Sequence, residues 1–110
     1  MYRPDLETAT PDVMRERQLV RLNDLLSRIL PQNVYYARTL GPRTPPISWD
    51  EFHTLPFTTK ADLVADQETS PPLGGIATYP AEQYVTYHQT SGTTGRPLAI
   101  CDTRESWDWW

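Results

Sequence analysis

The chain has 110 residues, with 10 basic and 14 acidic side chains and a formal net charge of −4; apolar residues make up 38% and prolines number 11. That size fits one small domain or part of a larger one, and the sparse apolar content predicts a thin, much-interrupted core. Four Trp, six Tyr and two Phe exclude wholesale disorder, the acidic balance excludes a general nucleic-acid binder, and a single cysteine, Cys101, excludes a disulfide framework. No apolar run approaches the roughly 18 residues of a membrane span, and MYRPDLETAT carries charges where a signal peptide needs an apolar stretch. A soluble, cytoplasmic protein is expected.

The first strong element is a helix over 11–30. Thr10 is its cap, Pro11 suits the first helical position, and Asp12 lies at the positive end of the dipole. Leu19, Leu22, Leu26, Ile29 and Leu30 follow the spacing of one buried face, Arg15, Arg17, Arg21 and Arg28 decorate the solvated remainder, and Pro31 ends the helix. From 31 to 80 the chain breaks into short pieces. Ser48-Trp49-Asp50-Glu51 has the form of a capping box, and Pro56 limits the helix it starts. Thr59 with Asp62 begins a second short helix, over 60–66. Pro71-Pro72 and Gly74-Gly75 then make a loop.

Residues 80–83 allow one helical turn, and Tyr84 to His88 has the aromatic and β-branched content of a strand. Leu98-Ala99-Ile100-Cys101 is a second short strand, ended by Asp102. Asp102 with Glu105 predicts a further cap, with a helix from about Thr103 carrying Trp107, Trp109 and Trp110, which are expected to bury against the sheet of a complete domain and to lack a partner surface in this chain alone. Cys101 reads as a small core residue and His53 as a surface or packing residue. His88 either contacts a ligand or bonds its ring to backbone. The chain reads as truncated within an element, and as marginally stable by itself.

Between the strands lies Thr90-Ser91-Gly92-Thr93-Thr94-Gly95-Arg96-Pro97. Gly92 and Gly95 are expected to turn with positive φ and permit close approach. Successive N–H groups in such a turn can hold an anion, and Ser91, Thr93 and Thr94 add hydroxyl donors, any of which can ligate Mg2+. Arg96 brings a fixed positive charge. All of this suits a polyphosphate, although the spacing is neither a Walker loop nor a dinucleotide fingerprint, and an ordinary hairpin connection has the same composition.

TSGTTGRP resembles the phosphate-binding signature of adenylate-forming enzymes, the acyl-CoA synthetase superfamily. Upstream, Leu55-Pro56-Phe57-Thr58-Thr59-Lys60-Ala61-Asp62-Leu63 resembles the LPFTTK-x-DL segment of its phenylacetate–CoA ligase branch. Asn33-Val34-Tyr35-Tyr36 and His88 are similar to further segments of that branch, so the resemblance covers nearly everything from residue 11 onward. It implies an α/β fold: the N-terminal part of an adenylate-forming large domain over 1–110, with one long helix, several short ones, and two or three strands flanking the phosphate loop. It implies an AMP-forming acid–CoA ligase that activates a carboxylic acid, aryl-acetate-like by its branch, with ATP and Mg2+ through an acyl-adenylate, and then uses coenzyme A. Thr90, Ser91, Gly92, Thr93, Thr94, Gly95 and Arg96 would be the phosphate-binding residues, with Arg96 where the family more often has Lys. Lys60 would fall in a structural segment. The family's magnesium-binding acidic residue, adenine pocket, ribose-binding Asp and adenylation lysine have no counterpart in these 110 residues. No catalytic residue is therefore expected, and the chain alone is expected to be inactive. The alternative is a stand-alone phosphate- or nucleotide-binding module without catalysis.

Overall fold

A computed structural model describes residues 3–92 and 95–109 of the chain. In chain order these form α1 (Pro4–Glu7), α2 (Pro11–Ile29), α3 (Val34–Thr39), α4 (Trp49–Phe52), α5 (Lys60–Thr69), a single 3-10 turn (Ala81–Gln83), β1 (Tyr84–Gln89), β2 (Ala99–Thr103) and α6 (Arg104–Asp108). The two strands pair antiparallel with Gln89 opposite Ala99 and Tyr84 opposite Thr103, and an irregularity in register falls between Tyr84 and Thr86.

Local chemistry explains the helix starts. Thr10 accepts from the Val13 N–H and caps α2, whose half-buried or buried side is Leu19, Leu22, Leu26, Ile29 and Leu30. Ser48 and Glu51 close a reciprocal box on α4, and Thr59 and Asp62 do the same on α5. The bond from the Ser48 N–H holds the Glu51 carboxyl below its usual range, and the bonds from Thr59 do so for Asp62. Both boxes hold best above the normal carboxylate pKa and weaken as the pH falls through the depressed one.

Several boundaries differ from expectation. Helix α5 continues to Thr69, three residues past its predicted end, because nothing between Asp66 and Thr69 breaks it. Strand β2 continues through Asp102 to Thr103. Thr103, not Asp102, is the cap of α6, accepting from the Ser106 N–H, and Asp102 instead accepts the Ser106 hydroxyl at 2.6 Å. Helix α3 starts on Asn33, whose carbonyl oxygen accepts from the Tyr36 N–H at 2.8 Å.

The buried apolar residues, Leu26, Tyr35, Ile47, Leu98 and Ala99, are few, and polar side chains tie the pieces together. Asn23 on α2 forms a two-way clasp on Ile47: its oxygen accepts from the Ile47 N–H at 2.6 Å, and its Nδ2 donates to the Ile47 carbonyl at 3.0 Å. Gln67 on α5 does the same for Ala99 on the outer edge of β2, at 3.0 and 2.8 Å. The Gln67 amide replaces a neighbouring strand for one residue, so the outer edge of β2 is partly closed. Asn33 reaches the segment before the 3-10 turn, donating to the Ile76 carbonyl at 2.7 Å and the Thr78 hydroxyl at 2.9 Å. Gln67→Ala should destabilise the chain by about 1–3 kcal/mol, because Ala99 loses both partners in a part-buried place. Urea unfolding followed by circular dichroism measures this, and an unchanged midpoint would contradict it.

Candidate functional site

The hairpin connection is closed at its neck by two bonds. The Thr90 N–H donates to the Leu98 carbonyl at 3.0 Å, and the Thr90 hydroxyl accepts from the Leu98 N–H at 2.9 Å. Thr90 is thus a strut of the loop. Inside the neck, Gly92 has φ +63 and the Gly95 N–H donates to its carbonyl at 3.1 Å. A Cβ on Gly92 would lie 2.9 Å from the Gly95 carbonyl oxygen and 3.0 Å from the Pro97 nitrogen. The loop folds back on itself where only glycine fits.

Gly95 does not share this role. The positive-φ glycines among the described residues are Gly41, Gly74 and Gly92, and a Cβ on Gly95 would meet nothing within 4 Å. The expectation of positive φ at the loop glycines is met at Gly92, and Gly95 is not among the left-handed glycines of the described residues. Ser91, Gly95 and Arg96 are exposed, and Thr93 and Thr94 lie outside the described residues. Arg96 pairs through its Nε with Glu68 on α5 at 3.1 Å.

Around the loop, the His88 ring stacks on Trp107, centroids 5.3 Å apart and planes 25° apart, and among the described residues it shows no bond to backbone. Trp107 and Trp109 have no covering surface among the described residues, as expected of this chain by itself. Both remain exposed, and Arg21 of α2 lies 5.8 Å from the Trp109 ring centroid; Trp110 lies outside the described residues. Arg15 similarly lies 5.0 Å over Trp49, so two of the four α2 arginines fasten aromatic rings rather than only facing solvent. His53 packs among rings, 5.7 Å from Phe52. Lys60 is the exposed first residue of α5.

Cys101 is half-buried and lines an apolar groove of about 240 Å³ between α5, the 73–77 segment and the sheet, a lining that includes no residue of 90–97. Burial, and secondarily the Asp102 charge, push its thiol above the ordinary value, which suits packing and not nucleophilic chemistry. No group of three or more His, Cys, Asp or Glu among the described residues is arranged to hold a metal ion. No helix among them is long and apolar enough to cross a membrane.

No protein-family model matches the chain. Solved structures do: 2-hydroxyisobutyryl-CoA ligase in complex with 2-HIB-AMP superposes with a TM-score of 0.79 at 25% identity, over 91% of this chain and 22% of that one. The same ligase with 2-HIB-AMP and CoA, in the thioesterification state, gives 0.79 at 28% identity with equal coverage. A mixed helix and strand fold of this kind resembles the N-terminal part of an adenylate-forming acyl-CoA ligase. Within that class the sequence falls in the phenylacetate–CoA ligase branch. It is 32% identical over 108 residues to the phenylacetate-coenzyme A ligase of Thermus thermophilus, and 30% over 109 residues to that of Pseudomonas putida. These matches take in 94% and 96% of the chain, which spans about a quarter of each relative's length (23% and 24%).

Proposed function

We propose that residues 90–97 hold the phosphates of ATP in an AMP-forming acid–CoA ligase, one that joins a carboxylic acid to AMP and passes the acyl group to coenzyme A. The acid is proposed to be aryl-acetate-like, after the names of the curated relatives. The observation that carries the reading is the loop itself. A neck fixed at Thr90 and Leu98 presents Ser91, the Gly92 turn and Arg96 at an exposed tip, in a chain whose relatives make acyl-CoA.

The residues fit the group. Gly92 permits a backbone approach that any Cβ would obstruct, Ser91 offers an exposed hydroxyl, and Arg96 supplies a permanent positive charge. Ser91 with Thr93 and Thr94 would hold the β- and γ-phosphates, and a hydroxyl of the three is the ligand available to Mg2+. Bound Mg-ATP supplies an electrophilic α-phosphorus and a pyrophosphate leaving group. The chain's own work is positioning and charge neutralisation: fixed donors and the Arg96 guanidinium offset the repulsion between an incoming carboxylate and the phosphates. The adenine, ribose and lysine elements have no counterpart in these 110 residues, so the chain by itself is proposed to bind phosphate without activating an acid.

Titration calorimetry with Mg-ATP on the 110-residue protein tests this. Gly92→Val should weaken binding at least about tenfold, since a β-branched residue resists φ +63 and collides with Gly95 and Pro97. Arg96→Lys should change it less than about threefold, because the charge is kept. Acid-dependent ATP–pyrophosphate exchange should stay at the level of a heat-killed control. Equal binding by wild type and Gly92→Val would overturn the reading.

A further inference from the structure

Helix α5 grips the C-terminal side of the loop with consecutive residues. Gln67 clasps Ala99 where β2 leaves the loop, and Glu68, next along the helix, reaches the Arg96 guanidinium at 3.1 Å. The Gln67 clasp fixes the backbone of α5 against the hairpin, so the Glu68 carboxylate is held at the loop by more than its own ion pair. Along the length of α5, between it and the loop, runs a groove of about 360 Å³, with Lys60, Val64, Glu68, Gly95 and Arg96 among its lining. Lys60 and Arg96 supply its positive charge, and Glu68, the partner of Arg96, is the acid in its lining.

We propose that Glu68 is a positioning residue for Arg96: it parks the guanidinium on α5 while the loop is empty and competes with phosphate for it when a polyphosphate arrives. The proposal rests on the reading that residues 90–97 bind phosphate. Its physical basis is an exchange of partners. A guanidinium cannot give its best-directed donors to a carboxylate and to a phosphate at once, and a carboxylate left beside a bound polyanion repels it. Arg96 and Glu68 are 73% and 45% exposed, so the pair is weak enough to be exchanged, and its influence is modest and sensitive to salt. Glu68 thus sets how tightly the loop holds phosphate, and how readily it lets go.

The test is calorimetric titration of inorganic tripolyphosphate into the 110-residue protein at low ionic strength and again at 0.5 M salt, roughly 4 Å of screening length. Glu68→Gln should tighten binding by about two- to fivefold at low salt, with most of the gain lost at high salt. Arg96→Ala should weaken binding, and Glu68→Gln added to Arg96→Ala should bring no further gain. Melting temperatures of the variants should stay together, separating this effect from a structural one. Unchanged or weakened binding by Glu68→Gln overturns the role of Glu68, as does an equal gain with Arg96 absent. Tripolyphosphate binding that ignores both Arg96→Ala and Gly92→Val would instead overturn the phosphate-loop reading itself.

Discussion

Gly74→Ala is expected to unfold the chain at a much lower urea concentration than Gly41→Ala, although both glycines have nearly the same φ, +75 and +70. The left-handed backbone alone costs a residue with a Cβ about 1–2 kcal/mol, and Gly41→Ala should show just that, since its Cβ would meet nothing within 4 Å. At Gly74 the added methyl would overlap the Asp66 carboxylate. That carboxylate has nowhere to go. It is 6% exposed, it accepts from the Ile76 N–H at 3.1 Å, and Arg38 lies 3.6 Å away. Moving it strands a buried charge and a buried donor, adding about 1–3 kcal/mol or more. Urea midpoints of the two variants, read by tryptophan fluorescence, decide the matter. Equal losses at both positions would mean that Asp66 is free to shift.

Asn33→Ala should have an effect of similar size, about 2–4 kcal/mol, because one side chain serves three partners while 2% exposed. Its oxygen caps α3 at Tyr36, and its Nδ2 is shared between the Ile76 carbonyl and the Thr78 hydroxyl. Asn33→Asp distinguishes the cap from the bridge. A carboxylate can still accept from Tyr36 but opposes the Ile76 carbonyl, so this variant should be at least as unstable as Asn33→Ala at pH 7. Protonation restores a donor. The buried acid's folded-state pKa is raised, so its penalty is relieved as the pH falls toward 4. If Asn33→Asp were indifferent to pH, or as stable as wild type at pH 7, the bridge to Ile76 would contribute nothing.

What could be read from the sequence is what the chain settles within four residues of itself. Thr10, the Ser48–Glu51 box and the Thr59–Asp62 box each satisfy donors in their own first turn, so spacing alone gives them away. The leucine stripe of α2 and the two short strands were legible for the same reason. Asn33 as the cap of α3 was not, because one asparagine ahead of a six-residue helix carries no periodicity to confirm it. Asn23 and Gln67 gave no signal at all, for their partners are decided by the tertiary fold. In the loop, composition showed two glycines but not their different surroundings: a Cβ on Gly92 would meet Gly95 and Pro97, and one on Gly95 would meet nothing within 4 Å. Arg96 was legible as a charge, while its partner Glu68 lies 28 positions earlier and appears only once α5 is docked. The thin core was foreshadowed by composition, and the tryptophans of α6 show its consequence, since too little apolar surface is present to cover them.

The three amide clasps also bear on the order in which the chain can fold. They bridge separations of 24, 32 and 43 residues along the chain. By loop-closure statistics the longest of these costs only about 0.5 kcal/mol more in chain entropy than the shortest. No clasp is therefore favoured enough to form first and template the others, and each contributes too little to hold its loop shut alone. The long helix can persist without them, but the remaining elements gain fixed positions only when all three close together. Assembly of these residues is then a concerted event, in which one lost amide is felt along the whole chain.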